Sequence, residues 1–395
     1  MSTGEVSSWP HFTQEEADAV QRVLLSNKVN YWTGQEGREF EREFAGFAQT
    51  EHAIAVANGT VALDLAWQAL NLPIGSEVIV TSRTFIASIS SIVLAGLTPV
   101  FADIDRDTQN ISAATITPLI SDKTSAILCV HLAGWPCEMD EILALAKGHQ
   151  LYVVEDCAQA HGATYKSKPV GGLGDIAAWS FCQDKIMTTA GEGGMVTTNN
   201  KPLWEKVWSF KDHGKSWQAI YEKEHPPGFR WLHDSFGTNW RMMEMQAAVG
   251  IKQLEKMPSW TAARNQYSNQ IFATARGFCA LRVPEIPDHI EHAFYKCYVF
   301  VKPENLNPGW NRDRIIAELT KLEIPCFSGS CSEVYKEKAF NGTDYRPKET
   351  LLTAIELGET SLMFLVHPTL KQQEVDLCCE ALSSVMRQAS KEINL

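Results

Sequence analysis

Two residues near the middle of the chain have the types and settings for chemistry on an aldehyde. In LYVVEDCAQAHGA, an apolar run ends on two acids, Glu155 and Asp156. Ligands of parallel sheets sit at the carboxyl ends of the strands, so a carboxylate fixed there can pair with a protonated ring nitrogen and keep it charged. In WSFCQDKIMTTAGEGGMVTT, another short strand precedes Lys185. Small residues and Gly191, Gly193 and Gly194 follow and let the backbone pack closely around it. A lysine that forms a Schiff base reacts as the free amine, which burial or a neighbouring cation favours. Taken singly, Asp156 is a cap for the helix starting at Cys157 and Lys185 is a surface lysine. Taken together they are the pair that pyridoxal phosphate uses. The lysine forms the Schiff base, and the aspartate holds the proton on the pyridine nitrogen so that the ring accepts electrons.

A phosphate needs donors, and AVANGTVALDLAW offers them. An apolar strand ends at Asn58-Gly59-Thr60 and a helix begins at once. Gly59 permits close backbone approach, Thr60 adds a hydroxyl, and the first-turn amides and helix dipole favour an anion. The plainer alternative is an ordinary N-cap made by Asn58 or Thr60.

The elements that must position these residues follow from the apolar pattern. Helical periods cover 13–26 and 35–48, and then short Val/Ile-rich strands alternate with helices as far as LYVVED at 151–156. That alternation predicts an α/β fold with a mostly parallel sheet covered on both faces. A polar, aromatic-rich stretch at 211–237 reads as loop plus irregular helix, and a helix is expected over 240–270. CYVFVK, DRIIAELTKLEI and EVDLCCEALSSVMR suit a smaller α+β domain.

Composition excludes other classes. The net charge of −12, from 35 Lys plus Arg against 47 Asp plus Glu, argues against a nucleic-acid binder or a polybasic membrane anchor. None of the ten cysteines is in C-x-x-C spacing, so reduced thiols are expected, with no disulfide framework and no metal site. The N-terminal MSTGEVSSWPHFTQEEADAV lacks a signal-peptide core, and no apolar run approaches the about 18 residues of a membrane span. A cytoplasmic location is expected.

The residues resemble the DegT/StrS family of nucleotide-sugar aminotransferases, on the aspartate-aminotransferase-like (type I) fold. The matching pieces are NGTVAL, SRTFIAS, VEDCAQAHGATYKSKPVGGLGDIAAWSFCQDK, TTAGEGGMVTTN, KDHGK and GTNWRMMEMQAAVG, between residues 33 and 255, with weaker similarity through HPTL at 367–370. The resemblance implies a large pyridoxal-phosphate domain over 1–255 and a small C-terminal domain over 256–395. It implies that Lys185 is the Schiff-base lysine and proton carrier and that Asp156 pairs with the pyridine nitrogen. Gln159 would lie near the ring's phenolic oxygen, and Phe85 would stack on the ring face. Gly59, Thr60 and Ser180 would hold the phosphate, joined by Asn239 from the other subunit of a homodimer with shared active sites. His161, His213 and Arg241 fall in matched segments as expected substrate contacts, with a structural role open for both histidines.

The activity implied is transfer of an amino group from an amino acid, by resemblance L-glutamate (leaving 2-oxoglutarate), to a nucleotide-linked keto sugar, for cell-surface polysaccharide or related amino-sugar biosynthesis. Lys185 separates the chain from the family's sugar dehydratases, which carry histidine there. Departures from the family pattern at Arg83, Cys182-Gln183-Asp184, Ala190 and 215–236 leave the sugar open. Two alternatives stand beside this reading: a cofactor-binding regulator without turnover, and a type I enzyme acting on an amino acid. The latter would use a C-terminal-domain arginine, for which Arg312, Arg314 and Arg346 are available.

Overall fold

Apolar runs of five to seven residues form a seven-stranded sheet in the computed structural model, which describes residues 7–228 and 230–391. The strands are β1 (His52–Val56), β2 (Glu77–Thr81), β3 (Thr98–Ala102), β4 (Thr124–Val130), β5 (Tyr152–Asp156), β6 (Ile176–Ser180) and β7 (Gly194–Thr198). Their order is β1-β7-β6-β5-β4-β2-β3. Only β7 runs against its neighbours, so the other six point their carboxyl ends the same way. Successive residues such as Val78, Ile79 and Val80, or Ile127 and Leu128, are all fully buried. That is the signature of a sheet covered on both faces, and it explains why these runs are apolar throughout instead of alternating.

Helices α1 (Gln14–Leu25), α2 (Glu36–Ala48), α3 (Gly59–Leu70) and α4 (Ile86–Leu94) occupy the expected positions. α3 is apolar nearly all round because it packs on β6 and β7 on one side and on α4 on the other. Within 211–237 the Trp217–Tyr221 segment is helical, and its Trp217 ring packs edge-on against Trp204 and Trp208.

A continuous helix, Glu244–Arg276, crosses the expected domain boundary at 255/256. Met257 still packs with Phe40, Phe44 and Trp179 of the large domain, whereas Ile271 and Phe272 pack with Val299 and Leu362 of the small one. The division therefore lies along this helix, where its buried stripe passes from one core to the other. The small domain is a four-stranded antiparallel sheet of Leu281–Arg282, Cys297–Val301, Ser361–Phe364 and Cys326–Phe327. Its covering helices include Arg312–Lys321 and Gln372–Ala389. The first described residues return to this domain: Ser7 donates to Glu374 through its amide (2.5 Å) and hydroxyl (2.8 Å). All ten cysteines are free. Among the described residues, no helix is long and apolar enough to cross a membrane.

Candidate active site

Strand alternation separates the two acids that end β5. Glu155 turns to one side, where its carboxylate accepts the amides of Gly171, Leu173 and Gly174 and meets His131 Nε2 at 3.0 Å. Burial alone would raise its pKa, but the His131 ring and these amides hold it below the ordinary value. Glu155 is thus a structural anchor for the 171–174 turn. Asp156 turns the other way. No helix starts at Cys157, contrary to the expectation of a helix cap: the Asp156 Oδ1 accepts the Ala158 amide at 3.1 Å within a turn, and its Oδ2 accepts the Ser88 hydroxyl at 2.9 Å. Burial pushes the Asp156 carboxyl up, and the Ala158 amide, the Ser88 hydroxyl and the Lys185 charge offset this only in part. A cation placed against that carboxylate would relieve the burial cost of its negative charge.

Lys185 follows β6, the neighbour of β5, so the two strand ends bring lysine and aspartate together. Its backbone is fixed at both ends of the peptide unit: its amide donates to the Cys182 carbonyl (3.1 Å), and its carbonyl accepts the Trp9 indole (2.8 Å). Its Nζ lies 5.1 Å from the Tyr295 ring centre. The Tyr295 hydroxyl bonds to Asp184, the residue before the lysine. Burial alone would raise the Asp184 carboxyl, but the Lys185 charge and this hydroxyl hold it low.

The phosphate donors also converge. Asn58 Oδ1 accepts the Val61 amide at 2.9 Å and caps α3 as expected. The amides ahead of it, on Gly59 and Thr60, are those an anion would use. A Cβ built on Gly59 would meet the Ser180 Cβ at 2.5 Å, and one built on Gly194 would meet the Asn58 carbonyl oxygen at 2.4 Å. The α3 N-terminus can approach β6 and β7 this closely only because both positions are glycine.

Phe85 stands at the N-terminus of α4, 69 % exposed, in keeping with a ring that meets a planar ligand and not with a core residue. Gln159 is half-buried and its Oε1 accepts the Ala133 amide at 2.8 Å, which leaves its side-chain NH2 to donate elsewhere. A buried carboxylate, an adjoining lysine, an exposed aromatic ring and a glycine-closed helix N-terminus together fit pyridoxal phosphate. Among the described residues, His131, Glu155 and Cys157 could jointly face a metal ion, but Glu155 and His131 are already engaged with the backbone and with each other.

The remaining expected residues fall in three places. Asn239 is exposed on this chain, bridged through its backbone to Asp212. His213, with φ 61°, is exposed nearby, and Arg241 donates to the fully buried Asp212 at 2.6 Å. His161 is fully buried against the Trp179 and Phe181 rings, and neither ring nitrogen meets a partner in ordinary hydrogen-bond geometry. Burial, then the Lys185 and Arg264 charges, push its pKa down to about 3. This is the setting of an internal neutral histidine.

Arg312, Arg314 and Arg346 are tied to local carbonyls of Gly358, Gly309 and Tyr335. Sequence reasoning did not find Ser88, Trp9 and Tyr295, which touch Asp156 or Lys185 from distant parts of the chain.

Comparison with known proteins agrees with this geometry. Residues 10–383 match the model of the DegT/DnrJ/EryC1/StrS aminotransferase family. A GDP-perosamine synthase from Caulobacter vibrioides is 37 % identical over 365 residues, covering 90 % of this chain and 92 % of that protein. A dTDP-3-amino-3,6-dideoxy-alpha-D-galactopyranose transaminase from Aneurinibacillus thermoaerophilus is 32 % identical over 374 residues, 94 % of this chain and 95 % of its own. The crystal structure of an aminotransferase from Psychrobacter cryohalolentis superposes with a TM-score of 0.95 at 59 % identity, covering 97 % of this chain and 99 % of that one.

Proposed function

The chain belongs to the DegT/DnrJ/EryC1/StrS aminotransferase family, and from that premise we propose that it uses pyridoxal phosphate to move an amino group from L-glutamate onto a keto sugar carried by a nucleotide. The observation that carries the reading is the meeting of Asp156 and Lys185 at adjoining strand ends, opposite the contact of Gly59 with Ser180. The relatives named above act on sugars linked to GDP and dTDP, which supports a nucleotide-sugar acceptor.

When bound, pyridoxal phosphate supplies the electron sink that stabilises the carbanion left when a substrate C–H bond loses its proton. Lys185 Nζ takes that proton and returns it on the other side of the exchange. Asp156, held by Ser88 and Ala158, keeps a negative charge against the pyridine nitrogen. Gly59, Thr60 and Ser180 bind the phosphate, and Phe85 covers the ring and keeps water from it. The Gln159 side-chain NH2 donates to the phenolic oxygen. Asn239, exposed on its own chain, completes the phosphate site of a partner subunit in a homodimer, and free cysteines throughout suit a cytoplasmic enzyme. His213 and Arg241, beside Asn239, would meet the sugar from the same side.

The arginines considered for the amino-acid-specific alternative, Arg312, Arg314 and Arg346, are each held by backbone carbonyls. The test is a screen of C3- and C4-keto nucleotide sugars with glutamate and purified protein. The amino sugar and 2-oxoglutarate are expected in equal amounts. Consumption of glutamate with a simple keto acid, and with no keto sugar in the panel, would sink the sugar reading.

A further inference from the structure

A cavity of about 270 Å³ lies beside the catalytic lysine, between the N-terminal strap, the residue before Lys185 and the small domain. Its chemically active walls are Trp9, Asp184, Arg264, Tyr295, Lys296 and His367. Arg264 is 1 % exposed. Its Nη1 donates to the carbonyls of Phe294 (3.2 Å) and Tyr295 (3.4 Å), while its Nε has no acceptor. Among the described residues, no carboxylate pairs with Arg264 or with Lys296. The face of the guanidinium is covered by the Trp9 ring at 5.4 Å, which leaves its fork edge as the part able to bind.

The charge in this cavity is unmatched. Burial pushes Arg264 down to about 9, and burial, only partly offset by Asp184 and aided by the Arg264 and Lys185 charges, pushes Lys296 down to about 8, so both remain cations near neutral pH. His367 is pushed to about 4 by burial and by those two charges and is therefore neutral, its Nδ1 engaged with Thr369. Asp184 is the one acid in the lining, and it is engaged with Tyr295. Two cations against one carboxylate leave a buried site one negative charge short, a costly arrangement unless an anion completes it. A guanidinium fork suits a planar carboxylate, which it can hold through two parallel hydrogen bonds.

We propose that this cavity is a carboxylate site and that, during turnover, it takes a carboxylate of the amino-group donor. The proposal rests on the reading that an amino acid supplies the nitrogen, and it gives that substrate a place. The cavity adjoins Lys185 through three groups: Tyr295, whose ring faces Nζ at 5.1 Å, Trp9, whose indole holds the Lys185 carbonyl at 2.8 Å, and Asp184. Its size suits a small acid, since it falls below the roughly 300–1,000 Å³ of pockets for drug-sized ligands.

The experiment titrates the cofactor-loaded protein with glutarate, a dicarboxylate that has no amino group, and separately with inorganic phosphate, by calorimetry. Glutarate is expected to bind, to compete with glutamate, and to lose about tenfold or more in affinity in Arg264→Lys and in Lys296→Gln, the loss of one charged hydrogen bond. The KM for glutamate should rise by a similar factor, with the KM for the keto sugar within about twofold of wild type. Lys296 is only half-buried, so its variant remains informative if Arg264→Lys fails to fold. Glutarate binding unchanged in the folded variants would overturn the site. Phosphate binding as tightly as glutarate, without competition against glutamate, would overturn the donor assignment. If instead no keto sugar is aminated by wild type, the functional reading fails, while the glutarate titration still decides the cavity.

Discussion

A Cβ on Gly59 would stand 2.5 Å from the Cβ of Ser180 and 2.9 Å from its hydroxyl oxygen. No real Cβ tolerates that approach, so the α3 N-terminus and the end of β6 are joined by the absence of a side chain. Gly59→Ala must push helix and strand apart where both supply phosphate donors. The protein should fold, with a loss on the order of 1–3 kcal/mol. Its affinity for pyridoxal phosphate should fall by at least about tenfold, since 1.4 kcal/mol is a factor of ten. Absorbance titration of apo-protein with the cofactor checks this. Unchanged affinity would remove Gly59 and Ser180 from the phosphate site.

Asp156 has two roles that one substitution separates. Asparagine keeps a carbonyl oxygen for the Ala158 amide, and its NH2, in the place of Oδ2, can donate to the Ser88 oxygen, so the local turn survives. It cannot hold a negative charge beside a ring nitrogen. Asp156→Asn should therefore fold and load cofactor but lose roughly 10²-fold or more in turnover, because a fixed charge in a site of low dielectric acts directly on the transition state. Steady-state kinetics on cofactor-saturated variant is the measurement, and unchanged kcat would leave Asp156 as a turn-forming residue only.

The parts of this site readable in the sequence are those with local signatures. Asp156 and Lys185 each follow an apolar strand, and Asn58-Gly59-Thr60 joins a strand to a helix. Topology then puts three strand ends together without any long-range information beyond the alternation of elements. What could not be read is whatever depends on one residue meeting another far away. Ser88 reaches Asp156 across 68 positions and Trp9 reaches Lys185 across 176, and neither sits in a pattern that announces it. The passage from one domain to the other is hard to read for a related reason: one helix serves two cores, so periodicity continues where the packing partner changes. His161 shows the reverse limit, since a histidine in a matched motif looks the same in sequence whether it faces a substrate or a Trp–Phe core.

The burial of His161 has a measurable consequence for stability. Its pKa falls from 6.5 in an exposed setting to about 3 in the fold. The folded state keeps the ring neutral, while the unfolded chain binds a proton below 6.5. The contribution is therefore fully present above pH 6.5 and is lost as pH falls toward 3, at about 1.4 kcal/mol per pH unit within that window. His161→Phe breaks no hydrogen bond of ordinary geometry and gives up only a weak contact with the Ser180 backbone, so its stability at pH 7 should be close to or above wild type. Urea unfolding of the apo-protein between pH 7 and 4 should show a pH slope shallower by about one proton. Equal slopes would mean that His161 protonates in the fold, and a variant folded but inactive would restore a functional role for the ring.

The shared-site dimer gives the last prediction. Asn239 is exposed on its own chain, follows the irregular 211–237 stretch, and lies next to Arg241, whose guanidinium is committed to the buried Asp212. Asn239 is exposed close to a fixed ion pair and is held through its backbone bridge to Asp212. Against a partner's cofactor phosphate, its donor would replace part of the lost hydration, a contribution of about 1–3 kcal/mol. The C2 symmetry usual for such assemblies would give two equivalent composite sites. Lys185→Ala alone and Asn239→Ala alone should each be strongly impaired. Mixed after subunit exchange, a heterodimer holds one site carrying both defects and one carrying neither, so activity should return toward about half of wild type per heterodimer. If Asn239 only turns the chain into the Glu244–Arg276 helix of its own subunit, its defect stays with its own Lys185, and mixing restores nothing. Subunit exchange is verified by mass-tagged subunits in native mass spectrometry. A verified heterodimer that stays inactive would remove Asn239 from the partner's site.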